Sequence, residues 1–138
     1  MSKIILSCSL AVALTISAGC GSGQEASVTG LVTLDGAPVE RGRIMFVPAE
    51  SGAGAFATIK PDGKYAARTG SASGLEPGDY LIAVQSRGDS IRDPKGGPPL
   101  PGKLLTPKKY AQSRTSEFQI SIEPGSNEVD FELKSGAK

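Results

Sequence analysis

The sequence predicts an all-β domain, a sandwich or barrel of short strands, carried behind an N-terminal export signal. Three observations lead there. Glycine (18) and proline (10) are abundant in a chain of 138 residues and punctuate many short apolar runs. That is the pattern of strands and turns, not of a helical bundle. Near the C-terminus apolar and polar residues alternate strictly, the period of a half-buried strand. Residues 4–16 form an unbroken run of apolar and small residues where export signals lie. A chain of this length makes one domain.

Taken in order, the first element is "MSKIILSCSLAVALTISAGC". Lys3 and the amino terminus supply a short positive region, and residues 4–16 the apolar one. That run is too short for a bilayer span, which needs about 20 residues. Ser17, Ala18 and Gly19 then give the small residues a signal-cleavage site requires. Once the signal is removed Cys8 goes with it, and Cys20 is the remaining thiol, so no internal disulfide forms. The chain has no histidine, which leaves Cys20 without a base to make it a nucleophile and without companions for a metal site. "GSGQEA" (21–26) follows as a polar, flexible tether.

The strands come next. "SVTGLVTL" (27–34) alternates and ends in the turn "DGAP" (35–38). "RIMFVP" (43–48) is apolar on both faces, as a central strand is. "AFATIK" (55–60), the turn "PDG" (61–63) and "KYAART" (64–69) read as a hairpin. "DYLIAVQ" (79–85) is entered through "EPG". Residues 87–114 are a long segment rich in proline, glycine and basic residues. In "EFQISIE" (117–123), Phe118, Ile120 and Ile122 face one way. After the turn "PGSN" (124–127), Val129, Phe131 and Leu133 of "EVDFELK" (128–134) face inward. Their alternation predicts half-buried antiparallel strands. The total is seven strands in about 110 residues, enough for a modest core.

Two resemblances rest on these residues. The stretch up to Cys20 resembles a bacterial lipoprotein signal, with Ser17 at the place where that family prefers Leu. The resemblance implies a lipid-bearing Cys20 after cleavage at Gly19–Cys20, a diacylglycerol on its thiol and usually an acyl chain on its amine. Gly21, where an Asp would match the inner-membrane retention signal, implies outer-membrane sorting or a periplasm-facing envelope site. Ordinary cleavage into a secreted, soluble binding module is the alternative. Next, "TGLVTLDGAPVERGRIMFVP", "PDGKY", "PGDYLIAV" and "PKKYAQSRTSEFQISIEPGSNEVDFELK" together resemble the short planctomycete-type lipoproteins with a carboxypeptidase-regulatory-like domain. That family implies a transthyretin-like, seven-stranded antiparallel Greek-key β-sandwich and no established activity. The expected organisation is a signal peptide (1–19), the lipidated cysteine and tether (20–26), the sandwich (27–134) and a tail (135–138).

Function follows by exclusion. A net charge of +1 offers no basic excess for nucleic acid. Some transthyretin-like sandwiches are hydrolases or iron dioxygenases, but those activities lean on histidine. No enzyme, cofactor or metal is expected here, and only a His-independent hydrolase stays conceivable. An adhesin-type Lys–Asn bond is discounted, since residues 27–34 lack the lysine that Asn127 would need. Tyr65 and Tyr80 are expected as core aromatics with hydroxyls on backbone groups. Asp35 and Asp62 are expected to shape their own turns, and Glu128, Asp130 and Glu132 to be a solvated strand face. What is left is a structural module of the envelope or a binding module for a protein or glycan. The binding candidates are Lys108, Lys109, Tyr110 and Arg114, read as an exposed patch for an acidic envelope polymer or partner protein, with Tyr110 as the aromatic contact. The bland alternative is a solvated crossover resting on the acidic sheet. An ordered segment with clustered surface residues would favour binding.

Overall fold

The computed structural model describes residues 24–136. The expected signal peptide (1–19), Cys20 and the first part of the tether lie outside the described residues. Ten strands make up the domain: β1 (Ala26–Leu34), β2 (Ala37–Pro38), β3 (Gly42–Pro48), β4 (Ala55–Ile59), β5 (Lys64–Thr69), β6 (Ala72–Ser73), β7 (Gly78–Gln85), β8 (Gln119–Ile122), β9 (Gly125–Glu128) and β10 (Phe131–Leu133). The one helical turn among the described residues is a 3₁₀ helix at Lys108–Ala111, and no helix there is long and apolar enough to cross a membrane.

The strands form a curled, mostly antiparallel sheet in the order β10-β1-β5-β4-β3-β7-β8, with β2 and β9 added to β1 and β6 to β5. The all-β class is as the punctuated sequence predicts. β3 is central: it pairs with β4 on one side and β7 on the other. Its inward residues Ile44 and Phe46 are fully buried, whereas Val47 on the outer face is 40% exposed. The expected hairpin at 55–69 is present, with Gly63 at φ 82° and Asp62 Oδ1 accepting from the Lys64 amide at 3.0 Å. At the end of β1, Asp35 (φ 52°) and Gly36 (φ 85°) make the left-handed two-residue turn that suits a hairpin's twist. The turn is shorter than expected, because Ala37 and Pro38 already pair back onto β1.

The C-terminal region departs from the expected antiparallel hairpin. β8 pairs antiparallel with β7, but β9 and β10 both run parallel to β1. Residues 124–127 are therefore not a turn. The chain leaves one end of the sheet after Ile122 and joins the other, and Gly125–Glu128 is itself a strand. The stretch 128–134 is broken at Val129–Asp130, where the Asp130 carboxylate caps the Leu31 amide at 2.8 Å. Alternation correctly assigned the inward faces: Phe131 and Leu133 are buried, and Phe118, Ile120 and Val129 pack partly buried against them. Alternation fixes a strand's face and leaves its neighbour open.

The core lies inside the curl. A chain of aromatic rings crosses it. Phe46 meets Tyr80 edge-on at 6.4 Å and Tyr65 at 6.3 Å. Tyr65 stacks on Phe131 at 5.8 Å, Phe131 meets Phe118 at 5.3 Å, and Phe118 stacks on Tyr110 at 5.4 Å. Such pairs add about 0.5–1.5 kcal/mol each beyond their buried area. The contact between Phe118 and Phe131 holds the two ends of the curl together. The domain also begins earlier than residue 27. The Gln24 amide donates to Ser73 O, and Ala26 exchanges both backbone hydrogen bonds with Leu75.

Candidate functional site

The long basic segment is an ordered arm. β7 ends at Gln85, and the chain leaves the sheet as an irregular hairpin. The Gly88 amide donates to Lys103 O at 2.9 Å, Ile91 and Leu100 exchange backbone hydrogen bonds at 2.8 and 2.9 Å, and the Leu105 amide donates to Ser86 O at 2.8 Å. Asp93 closes the distal turn, with Oδ1 accepting from the Lys95 amide at 2.9 Å, an aspartate serving its own turn. Gly102 is where the two sides of the arm meet. A Cβ there would run into the carbonyl oxygens of Gly88 and Asp89, so only glycine lets the backbones approach. At the base of the arm Thr106 Oγ1 accepts from the Ser86 amide at 3.2 Å. Ile91, Leu100 and Leu105 on the arm are all about half exposed.

The predicted patch splits in two here. Lys108 and Arg114 are exposed. Lys109 is committed to Glu117, with Nζ donating to Oε2 at 2.8 Å. That bond raises the ammonium pKa above its ordinary value and lowers that of the Glu117 carboxyl. Tyr110 is a correction. It is 5% exposed, stacked on Phe118, and its hydroxyl accepts from the Lys134 amide at 3.2 Å. An isolated basic segment gave its ring no reason to turn inward, but the docked 3₁₀ helix carries it into the gap between the arm's base and β10. Tyr110 is a core residue and is not available as an aromatic contact.

The cations that do gather are partly different ones. Two shallow concavities, of 520 and 300 Å³, meet at the end of β7 and share Gln85 and Arg87. Arg41, Gly42 and Arg43 of the β3 start line one side, and Lys103, Thr106, Lys108 and Gln112 belong to the other. No acidic side chain lines either. Arg41 is ion-paired with Asp89, and Arg87 Nη1 donates to Gly102 O at 3.3 Å. Among the described residues, Arg43, Arg87, Lys103 and Lys108 have no carboxylate partner. Arg43 and Gln85 were not candidates from sequence, because the antiparallel register that sets Arg43 opposite Gln85 has no local signature.

The remaining candidates are structural. The Tyr65 hydroxyl donates to Val129 O at 2.6 Å and the Tyr80 hydroxyl to Glu76 O at 2.8 Å. Burial, then a nearby carboxylate, pushes both phenols above their ordinary pKa. Asp35 does more than shape its turn. Hydrogen bonds from the Ser135 side chain and backbone lower its pKa, and its Oδ1 accepts the Ser135 amide at 3.0 Å. Asn127 bridges Ser27 O, Glu123 O and Gly125 O. Glu128, Asp130 and Glu132 are exposed, and no three acidic or soft ligands converge among the described residues. No protein-family model matches the chain, and comparison with curated proteins and with solved structures finds no match.

Proposed function

We propose that this chain is a non-catalytic, membrane-anchored lipoprotein of the bacterial envelope, a module that binds a partner protein or glycan through the end of the domain farthest from its anchor. The observation that carries the reading is the arm: residues 86–107 are held in a hydrogen-bonded hairpin beside a cluster of unpaired cations. A passive connector of that length has no need of such order, since loops longer than about 12–15 residues in compact domains are usually functional or disordered.

Polarity along β1 supports the same reading. Ala26 marks the end where the chain comes in, and Leu34, eight residues further along the strand, marks the end where Ser86, Leu105 and Thr106 gather. At about 3.3 Å per residue the two ends are about 26 Å apart. With Gln24 already bonded to Ser73, a lipid on Cys20 reaches the domain through at most about 14 Å of chain. The arm then faces away from the membrane. The shifted titratable groups, Tyr65, Tyr80, Asp35 and the Lys109–Glu117 pair, each serve a fold contact, which supports a non-catalytic role. The seven strands of the continuous path, with residues 123–130 crossing from the β8 end to the β10 end, support a transthyretin-like Greek-key sandwich and the carboxypeptidase-regulatory-like family.

The experiment is mass spectrometry of the protein extracted from membranes. The expected mature N-terminus is a Cys20 carrying a diacylglycerol, and Cys20→Ala is expected to abolish the lipid and the membrane fractionation. A free thiol on Cys20, or a mature terminus elsewhere, would sink the anchored reading.

A further inference from the structure

We infer that the trough centred on Gln85 and Arg87 is a binding site for an acidic polysaccharide, whose carboxylates pair with Arg43, Arg87, Lys103 and Lys108. The inference deepens the reading above and rests on it for the trough's place in the cell.

Charge is the first ground. Four cations from three elements line the trough: Arg43 from β3, its guanidinium also over the Phe56 ring at 5.5 Å, Arg87 and Lys103 from the two sides of the arm, and Lys108 from the 3₁₀ helix. None has a carboxylate partner among the described residues, and like charges brought together without a counter-ion repel one another at a cost that a bound polyanion removes. They are spread over two adjoining concavities. Arg43 lies in one concavity, Lys103 and Lys108 in the other, and Arg87 is common to both. A repeating anion matches cations spread over two concavities better than a single ion does.

The neutral lining is the second ground. Gln85 and Gln112 line the trough together with the cations, and Gln85 is held in place by donating Nε2 to Ala111 O at 2.8 Å. Amides beside cations suit a ligand that carries hydroxyls as well as carboxylates. Within the trough the apolar lining is only Leu104 and Ala111, too little to seat the large apolar anchor that dominates most protein interfaces; the apolar concavity of Leu34, Pro38, Val39 and Leu105 lies beside it, not in it. No aromatic ring lines the trough, so a neutral sugar has nothing to stack on and ionic recognition must dominate. Position is the third ground. The trough lies at the Gln85 end of β7, beside the Leu34 end of β1, away from the membrane side. That disfavours the anchoring membrane's own headgroups as ligand.

The test is titration of the full chain, purified in a non-ionic detergent, with oligogalacturonate. Neutral dextran, polyglutamate and vesicles containing phosphatidylglycerol are run beside it. Oligogalacturonate is expected to bind in preference to the other three and to be released as salt rises from about 20 to 200 mM, where screening shortens the reach of exposed charges to below about 10 Å. Replacing Arg87, Lys103 and Lys108 together with Ser should weaken binding by about ten-fold, while Arg114→Ser leaves it unchanged. If the triple variant does not fold, Lys103→Ser and Lys108→Ser singly should each weaken it by about two-fold. Absence of binding by the wild type, equal binding by the variants, or a preference for polyglutamate or for vesicles overturns the assignment. None of these outcomes touches the lipid on Cys20, which mass spectrometry reads separately.

Discussion

Gly30→Ala is expected to destabilise the protein, against the direction that strand propensity predicts. Gly30 lies in the middle of β1, directly opposite Tyr65 of β5. Exchanging a strand glycine for alanine ordinarily gains about 0.5–1 kcal/mol. Here the new Cβ would collide with the carbonyl of Val129, which is backbone and has little room to move. That carbonyl accepts the Tyr65 hydroxyl at 2.6 Å, and the neighbouring Asp130 caps Leu31. Overpacking costs about 1–3 kcal/mol, and loosening the two hydrogen bonds adds about 1 kcal/mol apiece. The balance is a loss of about 2–4.5 kcal/mol, a large share of a total near 5–15 kcal/mol. Urea unfolding followed by far-ultraviolet circular dichroism reads it as a midpoint lowered by about 1–2 M. A midpoint unchanged or raised would mean that Val129 does not sit over Gly30, and the break between β9 and β10 would have to be placed elsewhere.

Three further outcomes are expected. Phe131→Ala removes a ring that is 2% exposed and in contact with Tyr65 and Phe118; it should cost about 3–5 kcal/mol in the same urea assay, and a loss under 1 kcal/mol would contradict its inward face. Ser116→Ala removes a buried hydroxyl that donates to Ile82 O and accepts the Phe118 amide, and the unpaired groups should cost about 1–3 kcal/mol. For Asp35 the folded pKa is lowered by Ser135, so its contribution is present above the unfolded value of about 3.9 and is lost as pH falls through the folded value; thermal melts from neutral pH downward should show wild type losing stability below about pH 4 more steeply than Asp35→Asn, and equal slopes would refute the link to the C-terminal segment.

Much of the fold was legible because it rests on local patterns. Phe118, Ile120 and Ile122, then Val129, Phe131 and Leu133, recur every second residue, and the period identifies the buried face without knowledge of the partner. "DG" at 35–36 and 62–63 marks turns because Gly36 and Gly63 take positive φ that other residues avoid. Partner choice was not legible. Whether Gly125–Glu128 turns back on β8 or crosses to β1 is decided by contacts about 100 residues apart, such as Asn127 with Ser27 and Val129 with Thr29. Two short alternating segments pair equally well in either arrangement by local rules. The sequence pattern at 124–127 reads as a turn because Pro124 and Gly125 break a strand in isolation, whereas Glu25, just before β1, offers its carbonyl to the Gly125 amide.

The same division runs through the candidate site. That residues 87–114 are basic and set apart from the acidic strands is visible in composition, and Lys108 does reach the trough. Which of its side chains stay in solvent depends on where the 3₁₀ helix docks. Tyr110 is drawn in because Phe118 and the Lys134 amide together satisfy both its ring and its hydroxyl, and a buried tyrosine needs both. Lys109 follows it and finds Glu117, held at φ 63°, a backbone conformation uncommon outside glycine. The residue pair that looked most like a contact surface is thus consumed in closing the domain. The cations left over are the ones that the register of β3 on β7 and the pairing of the arm bring together, Arg43 and Arg87 with Lys103. Asp89 cancels only Arg41; Arg87, Lys103 and Lys108 keep their charge because no carboxylate among the described residues pairs with them, and that is the charge the proposed polysaccharide would meet.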